Sequence, residues 1–173
     1  DGMSDDGTAE VVRGLAAEDP RVRLVENPRR ITPVAFNLGN GYLNGRWLFG
    51  LGEPRDTGWL TDPRFLVGVA LFAVGFAVNV HSDAVLRSLR GPGETGYKIP
   101  DRGLFRRVSA ANYFGELVEW TGWTVATWSP GALVFVVWTA ANLVPRARAH
   151  HRWYRKTFPD YPKERKALIP FLY

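Results

Sequence analysis

The stretch NVHSDAVLRSLR, from Asn79 to Arg90, directly follows a run of apolar residues that begins at Phe65. It places Asn79 and Asp83 four residues apart, and residues at this spacing lie on one face of a helix. Polar and charged side chains at the end of a membrane-length apolar helix are costly unless they bind something. This stretch therefore predicts a transmembrane helix with a polar binding face at one end.

Two further apolar runs carry polar residues at the same spacing. Asn112 and Glu116 lie four residues apart within the run from Val108 to Trp128. The run from Ala132 to Val144 is followed by three polar residues at intervals of four: Arg146, His150 and Tyr154. We expect three helices that direct polar side chains from one edge of an apolar body toward a single large polar ligand.

The composition favours a membrane protein. Of the 173 residues, 46% are hydrophobic and 13% aromatic, with 7 Trp, and aromatic rings are enriched at bilayer interfaces. The formal net charge of +5 suits a membrane surface or an anionic cofactor, and because the basic residues lie just beyond the apolar runs we expect no nucleic-acid partner. The chain has no Cys, so disulfides and thiolate metal sites are excluded, and the His residues lack a carboxylate at ligand spacing. We expect no metal site.

The charge distribution predicts the topology. The loop from Asp83 to Arg107 and the tail after Pro145 are rich in Arg and Lys, and the two apolar runs between them are joined by a short Ser129-Pro130-Gly131 break. Both basic segments must then lie on one side of the membrane, which the positive-inside rule makes the cytoplasmic side. The predicted fold class is all-α, with multi-pass transmembrane helices.

The beginning of the chain has a different pattern. A helix is predicted from Thr8 to Ala17 and a short strand over residues 22–25, which together make a short α/β fragment. Such a fragment cannot bury a core alone. We predict that residues 1–38 form this fragment, which is not an independent domain, and that residues 39–173 form the membrane domain.

Six blocks of sequence between Asn40 and Tyr173 resemble the C-terminal half of the steroid 5α-reductase family (3-oxo-5α-steroid 4-dehydrogenases). They occur in order without large gaps: NGYLNGRWLFG, WLTDPRF, NVHSDAVLRSLRGPGETGYKIP, GLFRRVSAANYFGELVEWTGW, PRARAHHRWY and FPDYPKERKALIPFLY. The resemblance implies an integral membrane fold of seven helices that uses NADPH to reduce the 4,5 double bond of a 3-oxo-Δ4 steroid or another enone lipid.

The resemblance also implies a set of cofactor-binding residues: Asn79, Asp83, Arg90, Tyr97, Asn112, Glu116, Arg146, His150 and Tyr154. No glycine-rich loop follows a strand, so this is not a Rossmann site. In the family, a Glu and a Tyr on earlier helices polarise the 3-oxo group of the steroid, and the chain does not contain those helices. We therefore expect no catalytic residue in this chain, which as a truncated piece would be inactive alone.

Residues 1–38 resemble an early part of family 2 glycosyltransferases, in which an Asp-rich loop helps to bind the nucleotide-sugar. Asp1 and Asp5 are the nearest matches. The metal-binding acidic motif and the catalytic base of that family have no counterpart, so we expect no glycosyl transfer. The segment is either an artefact of gene assembly or a genuine fusion.

Two other functions stay open. Membrane methyltransferases related to the isoprenylcysteine carboxyl methyltransferases also place a cofactor between membrane helices and a basic, aromatic C-terminal helix. Binding of NADPH rather than S-adenosylmethionine separates these two enzyme classes. The other alternative is an inactive membrane remnant, in which the stripe from Arg146 to Tyr154 only anchors the chain on lipid headgroups. The sequence indicates neither which steroid is reduced nor the oligomeric state.

Overall fold

The computed structural model describes residues 13–14, 16–17, 31–52, 54–91, 93–94 and 96–173, the side chains of residues 31–36 excepted. Four long helices occur among these residues: α1 (Ile31–Arg46), α2 (Pro63–Ser88), α3 (Ala111–Thr127) and α4 (Pro130–Thr157). Short helical turns cover Trp47–Leu51, Thr57–Thr61 and Gly103–Arg106. The all-α class predicted for the main part of the chain is confirmed.

The first part of the chain is described only in part. The described residues between 13 and 17 are helical, in agreement with the helix predicted from Thr8 to Ala17, whereas the strand predicted over residues 22–25 lies outside the described residues. The predicted α/β character is not observed, since none of the described residues belongs to a strand. The chain divides into two compact units, Asp1–Leu43 and Asn44–Tyr173, and the predicted division at residue 38 stays a prediction.

Helix α2 begins at two residues that favour a helix N-terminus, Asp62 and Pro63. Asp62 is the N-cap, its carboxylate accepts a hydrogen bond of 2.8 Å from the Arg64 amide, and Pro63 occupies the first turn. The helix extends to Ser88, so the predicted loop from Asp83 to Arg107 begins later than expected. The extension has a physical reason: Val85 packs with Phe105 in a small buried cluster beyond the apolar run.

One of the three predicted spans meets the requirements for crossing a membrane. By length and composition, α2 is the one helix among the described residues that is long and apolar enough, and only 17% of its most apolar stretch is buried. An apolar helix exposed in this way differs from the core helix of a soluble protein. Helix α3 has 17 residues, about 26 Å of rise, which is shorter than a hydrocarbon core of roughly 30 Å.

Helices α2 and α3 pack along four glycines, which we call the glycine seam: Gly68, Gly75, Gly115 and Gly122. The two glycines on each helix are seven residues apart and therefore lie on one face. A Cβ atom on Gly115 would lie 2.6 Å from the Asn79 nitrogen, and one on Gly75 would lie 2.7 Å from the Gly115 oxygen. The backbones thus approach too closely for any side chain at these positions.

The predicted break between α3 and α4 is confirmed. Helix α3 ends at Thr127, its C-cap Trp128 adopts the left-handed conformation with φ 44°, and Ser129 then caps α4 by accepting a hydrogen bond from the Ala132 amide. The helical spacing predicted for the residues from Arg146 to Tyr154 is confirmed, and the apolar run and the basic residues after it form one helix, because α4 continues through Pro145 to residue 157. Packing of Val144 and Ala147 against the start of α3 outweighs the single hydrogen bond that the proline removes.

The C-terminal segment, residues 158–173, packs on the loop that precedes α3. The Ser109 amide donates to the Lys166 oxygen (2.9 Å), the Lys166 amide donates to the Arg107 oxygen (2.9 Å), and Leu168 is buried in a cluster with Ala110 and Ala147. The two basic segments of the chain are therefore joined at the same end of the helices. Which side of a membrane they face stays a prediction.

Candidate functional site

The first group of predicted site residues lies on α2 and α3: Asn79, Asp83, Asn112 and Glu116. All four side chains are half-buried. The glycine seam sets their spacing, because Gly115, the neighbour of Glu116, lies directly against the backbone of Asn79. The carboxylates of Asp83 and Glu116 are close enough for their charges to interact, and the charge of Glu116 also acts on Glu119. This side of the site is rich in hydrogen-bond acceptors and negative charge.

The second group surrounds Tyr154 near the end of α4. The guanidinium of Arg90 lies 5.1 Å from the ring centre of Tyr97, and that ring meets Trp153 edge-on at 4.9 Å. Trp153 in turn lies 5.1 Å from Tyr154. Burial raises the pKa of the Tyr154 phenol above its ordinary value, so its hydroxyl stays protonated at neutral pH and can donate a hydrogen bond. This side of the site presents cations and donors.

One ring contact lies between α4 and α3. The ring of His150 on α4 lies 5.9 Å from Tyr113, which adjoins Asn112 on α3. Arg146 is exposed and lies on α4, one helical turn before His150. Its place on this helix is what relates it to His150 and Tyr154. The structure thus brings predicted residues together within each group, and the His150–Tyr113 contact lies between the helices α4 and α3.

Arg165 was not among the predicted residues, although it is buried beside Tyr154. Only 5% of the residue is exposed, its Nη1 donates to the Pro100 oxygen at 2.8 Å, and its guanidinium lies 5.2 Å from the ring centre of Tyr161. Its Nε has no hydrogen-bond partner, and no carboxylate pairs with it in the described part of the chain. The one feature of the sequence that could have indicated Arg165 is its position as a basic residue just before the apolar C-terminal end of the chain.

A second feature that the sequence did not reveal is a group of hydrogen bonds around the Ser109 hydroxyl, which we call the Ser109 cluster (Ser109, His151 and Tyr161). The Ser109 Oγ lies 2.6 Å from His151 Nδ1 and 2.6 Å from the Tyr161 hydroxyl. Burial and the nearby charges of Arg155 and Lys166 lower the pKa of His151. The imidazole is therefore neutral at physiological pH.

A separate cavity of about 580 Å³ lies at the other end of α2, and none of the predicted site residues lines it. Its walls include Trp59 and Trp128, with the Arg64 guanidinium over both rings at 4.6 and 5.3 Å. Hydrogen bonds from Arg64 lower the pKa of Asp62 to about 2. The lining holds two Arg and two Asp, so its formal charges balance and favour neither anions nor cations. Within the described ranges, no group of His, Asp or Glu could hold a metal ion.

Comparison with known proteins identifies relatives of most of the chain. The family model described as 3-oxo-5-alpha-steroid 4-dehydrogenase matches residues 29–173. The 3-oxo-5-alpha-steroid 4-dehydrogenase 1 of Bos taurus is 56% identical over 137 residues, which cover 79% of this chain and 53% of that protein. The 3-oxo-5-alpha-steroid 4-dehydrogenase 2 of Homo sapiens is 53% identical over 140 residues, 81% of this chain and 55% of that protein.

The extent of these matches bears on the predicted organisation. The chain spans about half the length of the curated relatives it matches. The family match begins at residue 29, within the segment that we likened to a glycosyltransferase, and the matches give no support to that resemblance.

Proposed function

The chain belongs to the 3-oxo-5-alpha-steroid 4-dehydrogenase family of oxidoreductases in steroid metabolism, and on that premise we propose that it supplies the NADPH-binding half of a steroid 5α-reductase. The observation that carries the proposal is the gathering of predicted residues into two groups on α2, the loop after it, α3 and α4. One group is acidic and amide-rich, the other is cationic and aromatic, and the contact between His150 and Tyr113 lies between α4 and α3, which carry members of the two groups.

The two groups match the two chemical ends of the cofactor. Phosphates require cations, which Arg90 and Arg165 offer beside Tyr154. Ribose hydroxyls and the nicotinamide amide require acceptors and amides, which Asp83 and Asn112 offer on the other side. The buried, unpartnered Nε of Arg165 supports the fit, because a buried guanidinium without a carboxylate is costly unless an anion approaches it. NADPH, when bound, would supply the hydride that reduces the 4,5 double bond of a 3-oxo-Δ4 steroid.

We assign this chain no residue that polarises the substrate. The Glu and Tyr that the family resemblance implies for that role would come from the part of the relatives' length that this chain does not span. Such groups stabilise the enolate-like charge that develops on the steroid oxygen as hydride is added. The chain alone is therefore proposed to bind the cofactor and to be inactive toward steroid or enone lipids.

A titration of the chain in detergent tests the proposal against its alternatives. Trp153 lies beside Tyr97 and Tyr154, so NADPH bound there should quench tryptophan fluorescence, and S-adenosylmethionine should not. Quenching by S-adenosylmethionine instead would favour the methyltransferase. A flat response to both compounds would favour a remnant that binds nothing.

Replacement of Glu116 by Ala is expected to weaken NADPH binding by about tenfold, since a hydrogen bond to a charged group contributes roughly 1.5–3 kcal/mol and 1.4 kcal/mol corresponds to a factor of ten. The measurement is the dissociation constant from fluorescence titration, with resistance to alkaline extraction as the measure of membrane insertion. Glu164, an exposed carboxylate of the C-terminal segment, provides the matched control as Glu164→Ala. Unchanged affinity in Glu116→Ala would remove this residue from the site.

We further propose that α2 spans the membrane with the loop before α3 and the C-terminal segment on the cytoplasmic side. The chain has no Cys, so single cysteines can be introduced without background. An impermeant maleimide should label Arg102→Cys and Lys163→Cys from the same side of sealed vesicles, and Thr57→Cys from the opposite side, because these exposed positions lie at the two ends of α2. Labelling of all three from one side would show that α2 does not span.

A further inference from the structure

The Ser109 cluster joins three segments that are distant in sequence. Ser109 precedes α3, His151 lies on α4, and Tyr161 belongs to the C-terminal segment, 52 residues from Ser109. Ser109 and Tyr161 are buried, with 6% and 4% of their surfaces exposed. The Ser109 hydroxyl also lies 3.1 Å from the Lys166 oxygen, which already accepts a hydrogen bond from the Ser109 amide. One buried hydroxyl is therefore shared by a ring on α4 and two positions of the C-terminal segment.

The donors and acceptors of the cluster are mutually consistent when His151 is neutral. The Ser109 hydroxyl donates its one proton to the Lys166 oxygen, and it accepts from the Tyr161 hydroxyl and from His151 in the neutral tautomer whose Nδ1 carries the hydrogen. A proton added to His151 would place a third positive charge near Arg155 on the same helix and Lys166 on the C-terminal segment, the two charges that face it. The cluster is therefore stable with a neutral ring.

Tyr161 connects this cluster to the proposed cofactor site. Its ring stacks on Tyr154 with a centre-to-centre distance of 5.2 Å and an angle of 17° between the ring planes. The Arg165 guanidinium also lies against this ring, 5.2 Å from its centre. The position of Tyr161 thus constrains Tyr154 and Arg165, although its own hydroxyl is engaged by Ser109.

We propose that Ser109, His151 and Tyr161 are positioning residues that clasp the C-terminal segment to α3 and α4 and so hold Tyr154 and Arg165 in place for the cofactor. The part of this inference that concerns the cofactor rests on the proposed function. The role of the Ser109 cluster in holding the C-terminal segment does not depend on the proposed function, because the hydrogen bonds of the cluster are formed within this chain alone.

Two variants remove hydroxyls of the clasp with little change in shape. Tyr161→Phe keeps the ring that stacks on Tyr154, and Ser109→Ala keeps the backbone bonds to the C-terminal segment. The first measurement is hydrogen exchange of the Ser109, Ala110 and Lys166 amides, which bond across the clasp, expressed as protection factors. We expect both variants to lose about tenfold protection at these amides, with recovery in Ser109→Thr. Ser88→Ala, which removes a hydroxyl at the end of α2, should leave them unchanged.

The second measurement is NADPH affinity by fluorescence titration. We expect a loss of roughly five- to tenfold in Ser109→Ala and Tyr161→Phe, with recovery in Ser109→Thr.

Because the pKa of His151 is lowered in the folded chain, the stabilisation it provides is present above the ordinary imidazole value of 6.5 and is lost as pH falls. Protection and affinity in the wild-type chain should therefore decline together below that pH.

Three results would overturn the inference, and they are distinguishable. Unchanged protection in both variants would show that the cluster does not hold the segment. Reduced protection with unchanged NADPH affinity would show that it holds the segment without positioning the cofactor groups. A wild-type chain that does not bind NADPH would overturn the proposed function and the positioning role together, while the protection factors would still report the clasp.

Discussion

Replacement of Gly75 by Leu is expected to separate α2 from α3 and to lower the free energy of unfolding by about 4 kcal/mol or more, the range reached when a side chain is forced into a packed backbone contact. A Cβ at this position would lie 2.7 Å from the Gly115 oxygen and still closer to the Glu119 nitrogen. Both obstacles are backbone atoms, so no rotamer change can relieve the clash. Since a domain is commonly stable by only about 5–15 kcal/mol, the loss removes a large share of the total.

The effect is measured as the midpoint of denaturant unfolding in detergent, followed by circular dichroism. Gly45 provides a matched control, because it is also a helical glycine but has no neighbouring atom within 4 Å of the place that a Cβ would occupy. Gly45→Leu should leave the midpoint unchanged or raise it, since leucine favours a helix over glycine. If Gly75→Leu and Gly45→Leu had equal unfolding midpoints, the glycine seam would not be the main contact between α2 and α3.

The same variant should also lose NADPH binding, for a geometric reason. Helix association between lipid-exposed apolar helices depends on close backbone packing rather than on the hydrophobic effect. The seam holds Asn79 within contact of Gly115, the neighbour of Glu116. When the helices move apart, the acidic side of the proposed site comes apart with them.

Replacement of Arg165 by Met is expected to weaken NADPH binding by about 10- to 100-fold while changing the stability of the cofactor-free chain by less than about 1 kcal/mol. The two effects differ because the buried guanidinium makes one hydrogen bond, to the Pro100 oxygen, and leaves its Nε without a partner. Methionine loses that bond but also removes the desolvation penalty of a buried charge. The affinity loss follows if a cofactor phosphate is the missing partner.

Fluorescence titration and denaturant unfolding of the same samples separate the two effects. The control is Lys166→Met, the adjacent residue, which is exposed and holds the loop before α3 through its backbone. We expect its NADPH affinity to stay within about twofold of the wild-type value, because the substitution leaves that backbone in place. A large loss of stability in Arg165→Met with unchanged affinity would assign Arg165 to the packing of the C-terminal segment alone.

Several parts of the fold could be predicted from local pattern. The Asp62-Pro63 start of α2 and the Ser129-Pro130 start of α4 follow from capping residues, which act within one turn. The end of α2 was less accurate, since this helix extends past Asp83. A packing contact with a distant residue prolongs the helix, as Phe105 does for Val85, and the local sequence pattern does not indicate such contacts.

The sequence by itself determined which residues could act together on each helix. Asn79 with Asp83, Asn112 with Glu116, and His150 with Tyr154 share a face because a helix brings residues four apart into line whatever surrounds it. Family resemblance then suggested the cofactor, since six blocks of the chain match the reductases in order and carry these same polar residues.

Only the tertiary structure decided how these faces meet. The close approach of Asn79 to Gly115, the burial of Arg165 against Pro100, and the shared hydroxyl of Ser109 join residues separated by 36, 65 and up to 57 positions. Such contacts depend on how whole helices pack, and packing is a property of surfaces assembled from distant segments. No periodicity in the chain could have indicated that an arginine beyond the end of α4 would be buried beside Tyr161.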